Sequence, residues 1–404
     1  MNSVFRFLWR AYRKAVRILR NVGYDIKVMW GRMGGSPYMK EELDLVIFDD
    51  LFPSPLTLFR VLEFEKYMNR WQKTMVFSSA PEFDNFLHQY SKISSHVDRI
   101  HRFRHEAVHA RCAYFIFLHN SRTFLRFIEL NRIPFVFTLY PGGGFWFEQP
   151  ESDKTLRRIF RSPYFYKVIV SQNIVEEYLL KKGLCSKEHI VRVAGSPYKV
   201  EGKVFRKENR DTFDIAFCAA KYMPKGIDKG YDLFIETCKI LVHEIPNLKV
   251  HVIGNYDTSD VDVGELDHII TFYGLQSMQK LREIFAGVDI ILSPNRANVL
   301  HPGAFDGFPT GSVGIAAMEG AAMFVTDELG QNEFFTPGIQ IEIIDHNPKN
   351  IAAKIIGYVR EPGKLRNLQI EGQKRMLRLI EDDVQMPARY QVLEEVIGKS
   401  YGIS

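Results

Sequence analysis

Cysteine is scarce in this chain. Four thiols (Cys112, Cys185, Cys218, Cys238) are spread over 404 residues with no C-x-x-C and no paired spacing. That excludes a disulfide-stapled secreted scaffold and a cysteine-built zinc site, and reads all four as buried small hydrophobes in a reducing cytosol. No apolar run is long enough to span a bilayer. Low-complexity tracts and internal repeats are also lacking, so a chain of this length is expected to form two domains of ordinary size, each around its own core. Acid is missing from one place only: residues 1–24 carry Arg6, Arg10, Arg13, Lys14, Arg17 and Arg20 with no Asp or Glu. The formal charge is +5, so those six basic residues leave the other 380 at net −1. A near-neutral protein with one cationic arm is not a general nucleic-acid binder, and no nucleic-acid partner is expected.

The arm has a helical pattern. Arg6, Arg10, Arg13, Arg17 and Arg20 recur at steps of four and three, one stripe of a helix, while Phe5, Leu8, Trp9, Tyr12, Ala15, Val16 and Leu19 fill much of the remainder. Such a helix suits an anionic membrane surface, rings among the headgroups and guanidiniums on phosphates. Arginines interrupt every candidate apolar core of a signal peptide, and no small-residue cleavage site follows. The expected place is therefore cytoplasmic, peripheral on the inner face of a membrane. The alternative is a helix docked on its own protein.

From residue 43 onward, short apolar runs alternate with helical spacing. Strands are expected at Leu43–Phe48, Thr74–Ser78, Tyr114–Leu118, Phe135–Leu139, Lys167–Val170 and His189–Val193, with helices at Leu56–Trp71 and about 93–111. After a polar linker, Tyr198–Arg210, the alternation resumes: strands at Phe213–Ala219, Leu248–Gly254, His268–Tyr273, Val288–Leu292 and Met323–Asp327, helices at Gly230–His243 and Gln279–Phe285, then helical patterns at Asn350–Arg360 and Lys364–Val396. Runs buried on both faces and joined by helices mean α/β with parallel strands.

The densest chemistry lies in Phe305-Asp306-Gly307-Phe308-Pro309-Thr310-Gly311-Ser312, a glycine-rich turn entering a small-residue helix. Backbone N–H groups of Thr310, Gly311 and Ser312 are placed to hold a phosphate at the positive end of that helix. Ser293-Pro294, Asp306-Gly307-Phe308 and Ile315-Ala316-Ala317-Met318-Glu319-Gly320 together resemble the "P-S…E-G-F…E-A-M-A-x-G" pattern of the family 4 glycosyltransferases. Lys229-Gly230 resembles the family's K-G, with Lys221 in place of its arginine. Leu118-His119-Asn120, Phe137–Gly142 and Val193–Pro197 resemble its acceptor-half landmarks.

The resemblance implies a GT-B fold: an N-terminal basic extension (1–40), a Rossmann-like acceptor domain (41–200), a Rossmann-like donor domain (201–382), and a C-terminal helix (383–404) crossing back to the first domain. It implies transfer of a hexosyl or deoxyhexosyl group from a nucleotide-diphosphate sugar to a polysaccharide or glycolipid acceptor, such as lipopolysaccharide. The reaction would retain anomeric configuration and need no metal or cofactor beyond the donor substrate. Lys221, Lys229 and Asp306 carry the catalytic roles in that reading. Both lysines, Gly307, Phe308, Pro309, Thr310, Gly311 and Ser312 hold the donor; His119, Tyr140, Gly142, Gly143 and His301 face substrate. One departure stands out. The family's second glutamate, which grips the ribose, falls on Ile315, or on Gly314 if the register slips by one, and neither side chain accepts a hydrogen bond. That motivates an alternative, a catalytically weak GT-B-like binding subunit.

His105-Glu106-Ala107-Val108-His109 spells H-E-x-x-H, with Glu129 downstream, the lettering of a zinc peptidase if it sits on a helix. Asp260-Val261-Asp262 is a D-x-D by letter, in an acidic loop without companion ligands.

Overall fold

The computed structural model describes Leu19 and residues 21–54, 58–92, 94–198 and 211–399. The arginine stripe of residues 6–20 and the linker beyond Tyr198 lie outside these. Seven strands form the first sheet: β1 (Leu43–Asp49), β2 (Thr74–Ser78), β3 (Ile100–Arg102), β4 (Ala110–Ile116), β5 (Phe135–Leu139), β6 (Phe165–Val170) and β7 (Ile190–Arg192), in the order β3-β2-β1-β4-β5-β6-β7. The second sheet has β8 (Phe213–Cys218), β9 (Leu248–Ile253), β10 (Ile270–Phe272), β11 (Ile290–Ser293), β12 (Ala322–Thr326) and β13 (Glu342–Ile344), ordered β10-β9-β8-β11-β12-β13.

Burial explains the pairing. Leu45, Val46, Ile47 and Phe48 are all fully buried. Successive strand side chains point to opposite faces, so consecutive burial requires cover on both. β1 pairs in parallel with β2 (Ile47↔Val76) and β4 (Ile47↔Tyr114), and β8 with β9 (Ile215↔Val250) and β11 (Ile215↔Ile290). In each sheet the order reverses beside the first strand, between β1 and β4 and again between β8 and β11. Crossovers there depart to opposite faces, and open α/β sheets bind ligands beyond the carboxyl ends of those strands.

Two cores flank the second sheet. Phe217, Tyr231, Phe234 and Phe324 pack in one; Ala316, Ala317, Met323 and Met376 in the other. The latter lies under the helices Gly311–Met318 and Pro362–Ile380.

By packing, the chain forms two compact units: one holds the described residues through Thr138, Thr155–Val168 and Tyr390 onward; the other holds Leu139–Lys154 and Ile169–Arg389. The expected helix over 364–396 is three, Pro362–Ile380, Asp382–Gln385 and Pro387–Ile397, broken where Glu381 turns extended (ψ 145°) and at Pro387. The last helix packs on the first unit: Tyr390 meets Tyr67 and Trp71 edge-on, Glu394 pairs with Arg70, and Glu395 accepts from Lys167 (2.8 Å) and Tyr166 (2.9 Å). A returning C-terminal helix is thus present.

The histidine-rich helix expected at 93–111 does not form. Its place is taken by a short turn at Val97–Arg99, strand β3, an extended passage and the start of β4. His105 sits at φ 56° with its ring stacked on Tyr24 (centroids 3.6 Å apart), His109 faces Glu42 at 3.3 Å, and Glu129 pairs with Arg158. The H-E-x-x-H histidines are therefore not one helical turn apart, and the peptidase arrangement is lost. Helices Phe83–Tyr90 and Pro150–Phe160 and strands β3 and β13 had no counterpart in the sequence reading.

Candidate functional site

The loops leaving β8, β11 and β12 converge. After β8 the chain passes Lys221 and Tyr222, makes tight turns over Pro224–Lys229 and enters the helix Tyr231–Glu244 through Gly230. Gly230 has φ 71°, and a Cβ there would lie 2.0 Å from the Pro294 carbonyl oxygen, so only glycine lets this turn press against the end of β11. That contact delivers Lys229, buried to 7% exposure, to the loop after β11. Its Nζ donates to both oxygens of Asp306 (2.6 and 2.7 Å) and lies 5.1 Å from the centre of the Tyr222 ring. Asn295 Nδ2 donates to the same carboxylate (2.6 Å), and Gln331 Nε2 holds the Asp306 carbonyl (2.8 Å). Thr326, at the end of β12, donates to the Asn295 carbonyl (2.6 Å).

Asp228, adjoining Lys229, is 2% exposed, and no side chain among the described residues donates a hydrogen bond to its carboxylate, which only the backbone N–H groups of Asp228 and Lys229 approach. Its counter-charge is Lys229 Nζ, at 3.8 Å, and the Asp306 carboxylate is a like charge beyond it. Burial raises the Asp228 pKa, and the Lys229 ammonium opposes the rise. Lys229 thus stands between two carboxylates, one partly exposed and one enclosed. Lys221 is held separately: its Nζ donates to both oxygens of Asp260 (2.9 and 2.8 Å) and lies 5.8 Å from the centre of the Tyr256 ring. Asp260 of the discounted D-x-D is therefore the anchor of a candidate site lysine.

The glycine-rich turn enters a helix, Gly311–Met318. Thr310 is the extended residue before this helix, and its side chain does not cap it. The first-turn N–H groups have no intrahelical acceptor. Ser312 Oγ donates to the Cys218 carbonyl (2.7 Å), which ties this helix end to the end of β8. Burial pushes the Cys218 thiol up to about 12, so it stays neutral near pH 7. Asp306, Gly307, Phe308, Pro309 and Thr310 line one pocket with Asn295, Glu328 and Gln331. It encloses about 40 Å³, room for a few waters, so only part of a nucleotide-sized ligand would enter it. Neither lysine lines it; Lys229 reaches it through Asp306.

The helix Gly311–Met318 carries no carboxylate at the place of the glutamate that the resemblance would put there. Ile315 is buried in the core, a Cβ on Gly314 points at Met376 Cε (3.0 Å), and Glu319 is paired with Arg282.

His301 and the glycine loop are brought together. The His301 ring stacks on Trp146 (4.2 Å, 14°), Phe147 stacks on Phe305 (4.1 Å, 8°), and Phe147 N–H donates to the Gly303 carbonyl (2.9 Å). Tyr140 is largely buried and accepts from Arg389 (3.0 Å), so its hydroxyl is engaged structurally. Gly142 and Gly143 form the tight turn that follows, closed by Phe145 N–H on the Gly142 carbonyl (2.9 Å).

His119 lies in the other unit, in the first turn of the helix Leu118–Asn131, with Nε2 2.8 Å from Asp50 Oδ2. Asp50 belongs to a polar cluster at the β1/β4 reversal. Arg60 donates to Asp49 and Asp50 (2.7 Å each), and Asn120 Nδ2 spans both carboxylates (3.2 and 3.1 Å). Burial would raise the Asp50 pKa, but the His119 hydrogen bond and the Arg60 charge outweigh it and hold it well below the usual carboxylate range.

No family model and no curated protein matches the chain. Solved structures do. Anabaena HepE in complex with UDP and glucose superposes with TM-score 0.61 at 13% identity, over 88% of this chain and 100% of that one. A glycosyltransferase from Rickettsia africae gives 0.65 at 12%, over 89% and 100%. The chain has the GT-B fold. Sucrose-phosphate synthase from Thermosynechococcus elongatus shares it, with TM-score 0.60 at 12% identity over 88% of this chain and 99% of that one. Likeness at such identity is likeness of fold. Within this GT-B chain, sequence reasoning missed Asn295, Gln331 and Asp228. Position after Ser293-Pro294 was the one available signal for Asn295; the other two had none.

Proposed function

We propose that this protein is a glycosyltransferase of the family 4 type, moving a hexosyl or deoxyhexosyl group from a nucleotide-diphosphate sugar to a polysaccharide or glycolipid hydroxyl, with retention and without a metal. Breaking the bond from the anomeric carbon to the diphosphate gathers negative charge on the leaving group, which fixed ammonium and N–H donors stabilise. Lys229 and the first-turn N–H groups of Gly311 and Ser312 are such donors, aimed from two loops at the β8/β11 reversal. The observation that carries the reading is the Lys229–Asp306 pair three residues from the Pro309–Ser312 turn. Asp306 and Asn295 would meet the donor sugar's hydroxyls, and Lys221 would lend charge from the next loop. Donor binding is assigned to the domain of residues 201–382 and the acceptor to that of 41–200, on the cytoplasmic face of a membrane. The neighbours' recorded ligands support the donor class: HepE was solved with UDP and with UDP-glucose.

The packed Ile315 and Gly314 favour a second reading, a GT-B-like subunit that binds nucleotide weakly or not at all. Calorimetry with a panel of nucleotide-sugars separates the two. Binding of one donor, followed by sugar transfer in product analysis, supports the enzyme; no binding of any nucleotide at millimolar concentration supports the subunit.

A further inference from the structure

The first described segment carries an apolar face that the fold leaves uncovered. Residues 21–30 are helical and are fixed to the first unit by one side. Val28 is buried, Tyr24 stacks on His105, Arg126 grips Asp25, Lys27 Nζ donates to the Arg104 carbonyl (2.6 Å), and Gly31 sits where a Cβ would be 2.9 Å from Ala107 Cβ. The other side shows Leu19 (72% exposed), Val22 (45%), Ile26 (61%), Met29 (60%), Trp30 (62%) and Met33 (79%). At about 100° per residue Val22, Ile26, Met29 and Trp30 of this helix fall within one arc of roughly 100°, opposite Val28, and Met33 follows in a non-helical turn (φ −77°, ψ 15°). Six of the twelve large hydrophobics exposed among the described residues thus crowd into fifteen positions. A concentration of that kind marks a docking surface, whereas single exposed apolar side chains need no account.

We infer that this face lies on an anionic lipid bilayer, with the helix parallel to the surface. Three observations choose the bilayer over a protein partner. In the sequence, Leu8, Tyr12 and Ala15 fall at the same helical phase upstream, while Arg6, Arg10, Arg13, Arg17 and Arg20 fall at the opposite phase, the charge distribution of an interfacial helix. From residue 1 to 35 there are eight basic side chains and one acid, Asp25, already neutralised by Arg126, so charge complementarity asks for an anionic surface. No described helix is long and apolar enough to cross a membrane, so a bilayer contact made by residues 21–30 would run along the surface. The inference does not depend on glycosyl transfer: it extends the membrane contact from the arm of residues 1–24 to the exposed apolar side chains of residues 22–33.

The test is co-sedimentation of the full chain with vesicles of phosphatidylcholine alone and of phosphatidylcholine mixed with phosphatidylserine, for the wild type and for Ile26→Ser/Met29→Ser, both of whose side chains are exposed. The wild type is expected to partition onto the mixed vesicles, less so as salt rises, and the double variant at least tenfold less, with unchanged unfolding temperature and nucleotide binding. Sedimentation velocity runs alongside. An unchanged partition of the double variant overturns the inference. So does a concentration-dependent dimer that the same substitutions abolish without any vesicle binding, which would give the face to a second copy of the chain.

Discussion

Removing the Lys229 ammonium should expose how the enclosed Asp228 is kept. In Lys229→Met the buried carboxylate loses its counter-charge, the ammonium at 3.8 Å. At that separation and an effective dielectric near 20 the interaction is about 4 kcal/mol, and breaking a buried pair from one side costs about 3–5 kcal/mol. Asp306, partly exposed, adds at most about 1 kcal/mol, since solvent screens it. For a unit of this size the unfolding midpoint should drop by about 10 °C at pH 7. The sign with pH follows from Asp228. Its pKa is raised in the fold, so the folded state holds a proton that the unfolded state releases, and stability falls as pH climbs from the usual carboxylate range through the raised value. Without Lys229 the raise grows. The variant's deficit should therefore shrink on acidification, and Asp228→Asn in the same background should recover most of it at pH 7. Calorimetric unfolding of the two singles and the double, at pH 5 and pH 8, makes the measurement. A deficit that is independent of pH and untouched by Asp228→Asn would refute the assignment of Lys229 as the counter-charge of Asp228.

Other perturbations read other parts of the molecule. Lys229→Met should also weaken nucleoside-diphosphate binding by about ten- to a hundredfold, the value of a charge-assisted hydrogen bond, while nucleoside binding stays level in the same titration. Gly230→Ala forces a Cβ onto the Pro294 carbonyl; it should destabilise by roughly 2 kcal/mol or more and abolish donor binding before it unfolds the protein, as read by urea titration beside calorimetry. Asp50 has a depressed pKa, so its stabilisation is present above the usual carboxylate pKa and lost as pH falls below it. Asp50→Asn should cost on the order of 1 kcal/mol at pH 7, screening included, and little in strong acid, as followed by pH-dependent unfolding. A tight nucleotide ligand at a hundredfold excess over its Kd should add about 2.7 kcal/mol of stability; a thermal-shift series that is flat for every nucleotide would support the subunit reading.

How far the residues foretold the structure depended on what each segment had to satisfy. Thr74–Ser78 and Phe135–Leu139 were legible to the residue, because a strand covered on both faces must be an apolar run. The segment 93–111 misled because His101, His105 and His109 recur every fourth residue, the helical interval, on a chain that is extended there; an edge strand of three residues leaves too short an alternation to compete. Proline and an extended Glu381 broke the helix expected over 364–396. Lys229 and Asp306 were singled out by resemblance to the K-G and E-G-F motifs, each beside a glycine, and the fold brings the two side chains into contact. Asn295 and Gln331 act through hydrogen bonds made from loops, and no periodicity marks such residues.

Gly303 carries a consequence for exchanging loops in this chain. A Cβ there would sit 1.8 Å from the Phe147 oxygen, so the segments 140–148 and 297–306 are cut to each other's shape. Grafting either loop alone from a relative should give an insoluble chimera, whereas exchanging the pair together should preserve the join. The two stretches, far apart in the sequence, would have to be exchanged together.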